Sequence, residues 1–359
     1  QLDTTYINSL LRYGNQILYT NPPKAEKLFL WTVDLADSLG DLRLKGSGLY
    51  GAGIAYTLLG KSSESIELMD SAGKVFLARD DSVRYYHSEF MKGANYDNLG
   101  HYKLAMEVNV DALAYFRRTE NEDMISRTTN NIGNLLYHQK KYGPAIAYYT
   151  EAMRVGRKRG EKMIESVATA NIAFCYAKID SLDQAEGYFL QAYDFNLENE
   201  VLYVHGKVCA EFADLRISQG NFEAARKLLE ESIEKASAVS DSAGIGEAWA
   251  VYGRLYLKLG EADKAIEYFQ GALYLAERFE DAELAIDASK ALSDAYGKQG
   301  NFEQAFTAFQ KHIELRDSVY GREKDQQVAE LISIHETERD QLELAQLRSE
   351  KELQDQVVR

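Results

Sequence analysis

The sequence is poor in positive charge, in long apolar runs and in cysteine, and these shortages exclude several classes of protein. Its 359 residues include 56 acidic and 41 basic side chains, a net charge of −15 that would repel the phosphates of a nucleic acid. No apolar run reaches the roughly 18 residues that cross a bilayer. We therefore expect this segment to make no direct contact with nucleic acid or membrane. Its start, Gln1-Leu2-Asp3, has neither an initiator methionine nor a signal peptide, so we expect a processed or trimmed chain.

The motifs of catalysis and of metal binding are also missing. No cysteine–histidine spacing typical of a zinc site occurs, and the histidines show no triad pattern. Gly51-Ala52-Gly53 follows no strand, so we interpret it as a helix-packing segment and not a phosphate-binding loop. His335-Glu336 looks like a kinase phosphoacceptor, but no nucleotide-binding motif accompanies it. We predict a segment that is not an enzyme and has no catalytic residue, cofactor or metal site.

What the sequence does contain is a forty-residue repeat. The glycine slots are Gly60, Gly100, Gly220, Gly260 and Gly300, with Lys140 and Asp180 in the two remaining slots. Five residues after each slot lies an alanine, replaced by Ser65 at the first slot. Seven residues before each slot lies a small residue, such as Gly53 or Gly133, and in five of the seven repeats a tyrosine follows three residues later. A fixed period of this length indicates a stacked repeat protein, a class that mostly binds other molecules.

Each repeat predicts two helices joined by a tight turn. The small residue and the tyrosine are three residues apart, so they share one face of the first helix, helix A. In the second helix, helix B, apolar residues recur at helical spacing, as in Ala265, Tyr268, Phe269 and Ala272. Gly220 and Gly300 stand where a helix needs a left-handed C-terminal residue, and Asn221 and Asn301 follow as N-caps.

This pattern resembles the tetratricopeptide repeat (TPR), as in Gly100-His101-Tyr102 with Ala105 and Ala112. The resemblance implies an all-α, right-handed superhelical solenoid of about eight helix pairs with a long C-terminal helix. The usual TPR period is about 34 residues, so we expect longer helices and longer inter-repeat turns here. Residues 45–316 carry the pattern, and residues 3–44 are a divergent first pair. We predict a solenoid over residues 1–316 and a capping and exit helix over residues 317–359.

The two cysteines fall on helix A of successive repeats. Cys175 and Cys209 are six residues out of phase, which places them about two turns apart along their helices. That separation is too large for a disulfide, so we expect two small buried thiols.

The end of the chain carries a second resemblance. Residues 315–319, 328–331 and 335–339 read Leu-Arg-Asp-Ser-Val, Val-Ala-Glu-Leu and His-Glu-Thr-Glu-Arg. They resemble the segment that closes the TPR region of bacterial membrane-anchored TPR signalling proteins, where a tyrosine commonly takes the place of His335. The resemblance implies a transmembrane helix and then a cytoplasmic histidine kinase or DNA-binding output domain, as in a two-component system, all outside this segment. It also favours a periplasmic or extracytoplasmic location for the sensor region, with the cytoplasm as the alternative.

The tail itself is charged and free of glycine and proline over residues 322–359. We expect Val328, Leu331 and Ile332 to pack on the last helix B, where Phe302, Phe306 and Phe309 offer an apolar face. Beyond Arg339 the heptad pattern is imperfect. Two interpretations therefore stand as alternatives for this part of the tail, a coiled-coil homodimer and a solvated helix.

A candidate binding groove follows from the TPR resemblance, because helix A lines the concave surface of such solenoids. The predicted groove residues are His87, Phe90, Arg127, Asn130, Asn131, Asn134, Tyr137, Asn171, Phe174, Lys178 and Arg254. Asparagine offers donors and an acceptor, which suits the backbone of an extended peptide. Peptide-binding TPR proteins commonly carry an asparagine at the place of Asn134. The alternative is that these asparagines are only solvated.

Taken together, these patterns predict a non-catalytic TPR region that binds a peptide or protein segment. The tail resemblance makes it the ligand-sensing part of a bacterial transmembrane signalling regulator. The alternative is a soluble TPR scaffold for the assembly of protein complexes.

Overall fold

The computed structural model describes residues 4–239, 241–279 and 281–318, and these ranges contain helices and turns without any strand. The chain divides into two compact units, Gln1–Glu261 and Ala262–Arg359. None of the described helices is both long enough and apolar enough to cross a membrane. The predicted capping and exit helix, the coiled coil and the tail resemblance after residue 318 lie outside the described residues.

The first unit contains thirteen helices within its described part. They are α1 (Thr4–Ile17), α2 (Pro22–Leu39), α3 (Leu42–Leu58), α4 (Ser62–Leu77), α5 (Ser82–Asn98), α6 (Tyr102–Arg118), α7 (Glu122–His138), α8 (Tyr142–Arg159), α9 (Lys162–Lys178), α10 (Leu182–Asn199), α11 (Leu202–Ser218), α12 (Phe222–Ala238) and α13 (Ser242–Leu259). The second unit contains α14 (Ala262–Arg278), α15 (Ala282–Gln299) and a last described helix, α16, over residues 302–318. The sixteen described helices confirm the all-α TPR-type solenoid. That α1 and α2 form a divergent first pair stays a prediction.

The turns repeat every twenty residues, twice as often as the glycine slots of the forty-residue repeat. A residue with positive φ follows almost every helix: Gly40, Gly60, Asp80, Gly100, Glu120, Lys140, Gly160, Asp180, Glu200, Gly220, Gly260 and Gly300. The turn after α11 shows the cause. The Gly220 amide donates to the Ile217 carbonyl at 3.0 Å and the Asn221 amide to the Arg216 carbonyl at 2.8 Å. The two bonds satisfy carbonyl groups at the end of α11. Both can form only because the backbone of Gly220 is left-handed.

The predicted caps are confirmed at both places where they were assigned. Gly220 and Gly300 have φ of +76° and +83°. The side-chain oxygens of Asn221 and Asn301 accept hydrogen bonds from the Ala224 amide at 3.2 Å and the Gln304 amide at 3.3 Å.

Longer helices account for the forty-residue period, but the expectation of longer inter-repeat turns is wrong. Helices α2 to α15 each contain 16–18 residues. The turn between α8 and α9 consists of residues 160–161, whereas the turn inside the α7–α8 pair consists of residues 139–141. Each of these turns contains one left-handed residue, Lys140 or Gly160. The α4–α5 turn over residues 78–81 is longer and keeps its own left-handed residue, Asp80.

The small residues seven positions before the glycine slots, which we call the small column, bring helix A against helix B in the α3–α4 and α7–α8 pairs. A Cβ atom built on Gly53 would lie 2.6 Å from Met69 Cε, and one on Gly133 would lie 2.6 Å from Tyr149 Cε1. A Cβ on Gly51 would lie 2.7 Å from the Phe29 ring. These distances are shorter than real carbon contacts, so Gly51-Ala52-Gly53 is a packing segment, as predicted.

Within the first unit the odd-numbered helices form a layer of their own. Each of them, from α1 to α13, contacts the next odd-numbered helix, whereas no two described even-numbered helices contact each other. In a row of antiparallel pairs, the layer whose members lie closer together is on the inside of the curve. We call the odd-numbered helices of this unit the inner layer; they are the helices A of the sequence repeat.

The two cysteines are fully buried and unpaired, as expected. Burial raises the pKa of the Cys175 thiol to about 12. Burial and, to a lesser degree, the nearby Glu231 carboxylate raise the pKa of the Cys209 thiol well above its usual range.

Candidate functional site

Three of the predicted groove asparagines meet on neighbouring helices of the inner layer. Asn130 and Asn134 lie one turn apart on α7, so their side chains share a face. The Asn171 amide nitrogen, on α9, lies 3.4 Å from the side-chain oxygens of both. We call Asn130, Asn134 and Asn171 the amide cluster. The forty-residue repeat sets α7 and α9 side by side, so Asn171, whose equivalent on α7 is Asn131, lies beside Asn130 and Asn134.

Helix α8 supports the cluster from behind. The Tyr149 hydroxyl donates a 2.8 Å hydrogen bond to the Asn134 side-chain oxygen. Tyr149 is 2% exposed, and burial raises the pKa of its hydroxyl well above the usual range, so it stays a neutral donor. The same tyrosine ring fills the space that Gly133 leaves open. One buried side chain therefore sets both the packing of the pair and the orientation of Asn134.

The cluster keeps hydrogen-bonding capacity to spare. Within the described residues, the Asn134 side-chain nitrogen donates no hydrogen bond and the Asn171 side-chain oxygen accepts none. Both side chains are half-buried, whereas Asn130 is 8% exposed and lies deepest. The 3.4 Å contacts are long for hydrogen bonds and are easily exchanged. The exposed rim thus offers at least one donor and one acceptor to a ligand.

Aromatic residues of the predicted groove are held more deeply than the sequence indicated. Phe174 is 8% exposed and its ring centre lies 5.8 Å from that of Phe189 in a core cluster. Tyr137 is half-buried and meets Tyr142 edge-on at 5.3 Å. We assign Phe174 to the wall beneath the groove and not to its open surface.

The predicted groove residues of α5 sit against the hydrophobic contact with α6. Phe90 packs on the cluster that contains Tyr115 and Phe116, and the His87 ring lies 5.6 Å from the Phe116 ring. His87 Nε2 is buried with no hydrogen-bond partner among the described residues. Burial lowers the pKa of His87, although Asp123 partly opposes this shift. His87 is therefore a neutral ring at neutral pH.

Charged groove candidates lie at the edges of this region. Arg127 Nε donates a 3.1 Å hydrogen bond to Asp123 on the same helix. Lys178 is exposed in the last turn of α9. The remaining predicted groove residue, the uncharged Asn131, is half-buried on α7. Arg254, on α13, forms a 2.7 Å ion pair with Asp214 on α11. The structure thus unites the amide cluster but leaves Arg254 in a separate part of the inner layer.

A second group of chemically reactive side chains lies together on α11 and α12, and the sequence patterns did not predict it. His205, Cys209 and Glu231 place one ligand atom each within 4.8 Å of one another. His205 and Cys209 are four residues apart on α11, a spacing visible in the sequence. Glu231 comes from α12, and only the register between the two helices brings it close.

The family comparison follows the same repeats. The tetratricopeptide repeat family matches residues 124–198, 209–273 and 244–318, which together are just over half of the chain. The chain belongs to the tetratricopeptide repeat family. No curated protein matches this TPR chain significantly by sequence.

Solved structures share the fold at low sequence identity. The apo quorum sensor NprR from B. thuringiensis has a TM-score of 0.70 and 17% identity, over 88% of this chain and 89% of that one. Aspartyl phosphate phosphatase F from Bacillus subtilis has a TM-score of 0.67 and 14% identity, over 88% and 95%. The Rap conjugation gene regulator of plasmid pLS20, in complex with the Phr* peptide, has a TM-score of 0.66 and 14% identity, over 89% and 97%. At these identities the likeness shows the common TPR fold.

Proposed function

We propose that the inner layer around α5, α7 and α9 binds an extended peptide or protein segment without catalysing a reaction. The observation that carries this proposal is the amide cluster, which lies on the layer that forms the inside of the curve and has a spare donor and acceptor. An extended peptide presents both kinds of group along its backbone, so side-chain amides can pair with it regardless of its sequence.

The surroundings of the cluster suit such a ligand. Arg127 and Lys178 keep exposed cationic groups on α7 and α9, where they can meet a carboxylate of the peptide. Phe90 and Tyr137 are half-buried and offer apolar contact for its side chains. The chain as a whole is strongly acidic and repels negative groups. A carboxylate of the ligand would therefore bind beside these two cations, which orients the ligand.

Two proteins of the same fold lend support, because each was solved in complex with a peptide. The pLS20 regulator was solved with the Phr* peptide, and NprR was also solved with its cognate peptide NprX. A peptide-binding role for this chain agrees with both complexes. At this low sequence identity, no binding residue of those proteins is assigned to a position of this chain.

We further propose that this region is the ligand-sensing part of a bacterial transmembrane signalling regulator. The support is the resemblance of residues 315–339, whose greater part lies beyond the described ranges. A soluble scaffold for complex assembly is the second candidate, supported by the TPR fold alone. The coding sequence around this segment separates them. A span of roughly 20 apolar residues followed by a kinase or DNA-binding domain supports the regulator, whereas a chain without either supports the scaffold.

Peptide binding is tested with peptides selected from a random library on the full chain and measured by fluorescence polarisation. Asn134→Ala with Asn171→Ala removes two hydrogen bonds worth about 1 kcal/mol each, so we expect roughly thirtyfold weaker binding. Asn171→Ala alone leaves the bond from Tyr149 intact and should weaken binding severalfold. The control is Gln191→Ala, an exposed amide on the even-numbered helix α10, which should leave the affinity unchanged. Equal affinities for all variants, with the helical fold intact, would exclude this site.

A further inference from the structure

The second cluster of side chains lies between α11 and α12. His205 Nε2 lies 2.8 Å from one carboxylate oxygen of Glu231, and the Tyr193 hydroxyl donates to the other at 2.7 Å. Cys209 follows His205 by one helical turn, and its sulfur completes a group whose ligand atoms lie within 4.8 Å of one another. We call His205, Cys209 and Glu231 the α11–α12 cluster.

The register between the two helices is fixed beside the cluster. Ser232, next to Glu231, donates a 2.8 Å hydrogen bond from its buried hydroxyl to the Gly206 carbonyl, next to His205. Gly206 permits this approach, because a Cβ atom there would lie 3.3 Å from the Ser232 carbonyl oxygen. The three side chains are therefore held on a rigid part of the fold, as a binding site requires.

An ordinary buried histidine–carboxylate pair does not account for all of these groups. His205 is 1% exposed, and its Nδ1 has no hydrogen-bond partner among the described residues. Cys209 is fully buried yet faces the same pair. The pair leaves the thiol without a partner, whereas an ion held by His205 Nε2, Cys209 and Glu231 would use it. Nδ1 has no partner among the described residues in either arrangement. A catalytic triad is excluded because no substrate could reach a fully buried thiol.

We propose that His205, Cys209 and Glu231 bind a single zinc ion that joins α11 to α12. Imidazole nitrogen, thiolate sulfur and carboxylate oxygen are the three ligand types of protein zinc sites, and a thiolate disfavours calcium and magnesium. The thiolate and the carboxylate together balance the two positive charges of the ion. Zinc replaces the thiol proton, which passes to solvent. Water or the Tyr193 hydroxyl takes the fourth position.

The geometry requires only small side-chain movements. Zinc–ligand bonds of about 2.0–2.3 Å in a tetrahedron place ligand atoms roughly 3.3–3.5 Å apart. The His205–Glu231 pair must open slightly from 2.8 Å, and the widest separation in the cluster must close from at most 4.8 Å. The Glu231 side chain is 24% exposed, so it gives the ion a path from solvent. The site lies apart from the amide cluster, and the proposal does not depend on peptide binding.

The test is a titration of the reduced, metal-free full chain with Co²⁺ as a spectroscopic probe for zinc. We expect one equivalent to bind, with a near-ultraviolet thiolate-to-cobalt band and the visible bands of tetrahedral cobalt, and we expect Zn²⁺ to displace it. Cys209→Ser should abolish the near-ultraviolet band. Cys175→Ser removes the other fully buried thiol of the inner layer and should keep the band at full intensity.

Glu231→Gln provides a second variant in case Cys209→Ser fails to fold. It removes a partly exposed ligand and should weaken cobalt binding at least tenfold, while the thiolate band still appears at saturation. Circular dichroism checks that each variant is folded. The proposal is overturned if the folded wild type binds neither Co²⁺ nor Zn²⁺ at micromolar concentration. It is also overturned if Cys209→Ser keeps the thiolate band, if Cys175→Ser loses it, or if Glu231→Gln binds as tightly as the wild type.

Discussion

The α7–α8 and α11–α12 pairs have the same backbone but different inner faces. Both end their first helix with the same turn, and both place a small residue, Gly133 or Ala213, where the two helices meet. On α7, however, the next residue is Asn134, whereas on α11 it is Asp214, which pairs with Arg254. The residues that build the fold are the same or similar in every repeat. The residues that face the inside of the curve differ from one repeat to the next. The difference teaches that function in this molecule must be sought in what the repeats do not share.

The largest difference between the two pairs should appear at the small column. A methyl group on Gly133 would run into the buried Tyr149 ring at 2.6 Å, so we expect Gly133→Ala to destabilise the fold by about 2–3 kcal/mol. Ala213→Gly removes a buried methyl and loosens the helix, so it should cost about 1–2 kcal/mol. Urea unfolding measures both.

A matched glycine shows whether the Gly133 effect comes from packing. Gly187 is an exposed position inside α10 with open space around its Cβ direction. There, alanine should stabilise the fold by up to about 1 kcal/mol. If Gly133→Ala were as harmless as Gly187→Ala, close packing on Tyr149 would be refuted.

The next effect concerns the support of the amide cluster. Asn134→Ala leaves the buried Tyr149 hydroxyl without its acceptor, and we expect a loss of about 1–2 kcal/mol in unfolding free energy. Asn171→Ala removes only the long 3.4 Å contacts and should change stability by less than about 0.5 kcal/mol. Equal losses in thermal or urea unfolding would show that the two asparagines do not differ in the way the structure indicates.

The turns of the two pairs can be compared by two opposite substitutions, one that introduces a glycine at the left-handed position and one that removes it. Lys140 closes the first turn at φ +58°, whereas Gly220 closes the second at φ +76°. Left-handed backbone costs a non-glycine residue roughly 1–2 kcal/mol, so Lys140→Gly should stabilise by up to about 1 kcal/mol and Gly220→Ala should destabilise by about 1 kcal/mol. Changes of the same sign in the two variants would contradict the shared turn geometry.

The smallest effect is expected for the ion pair on the inner face. The Arg254 and Asp214 side chains are each about 40% exposed, at 41% and 40%. Water and salt screen such pairs, so Asp214→Asn should change stability by less than about 0.5 kcal/mol, and less again in high salt. A loss above 1 kcal/mol would show that this face is drier than the structure indicates.

The sequence predicted the helices because the residues that end and pair them are chemically distinctive. Gly220, Asn221 and the small column each act through a backbone or steric requirement that few other residues meet. The second set of turns was missed because only Gly40 and Gly160 carry glycine among its described left-handed positions, whereas Asp80, Glu120 and Glu200 do not. Nothing in their side chains reveals that conformation.

The site could be predicted only in part, because it depends on contacts between helices. The forty-residue phase put Asn130, Asn131, Asn134 and Asn171 in one predicted cluster, and in the structure the Asn171 side chain contacts those of Asn130 and Asn134. Their role in a peptide groove stays a prediction. It could not show that Tyr149 holds Asn134, since this contact joins helix A to helix B. For the same reason it missed Glu231 beside His205, and it could not show that the Phe174 ring packs against Phe189.

The most direct test of the account is a crystal structure of the full chain with a library-selected peptide. The account predicts an extended peptide on the inner layer, with the Asn134 side-chain nitrogen and the Asn171 side-chain oxygen within hydrogen-bonding distance of its backbone. A peptide bound to the even-numbered helices, or one that leaves the amide cluster untouched, would contradict it.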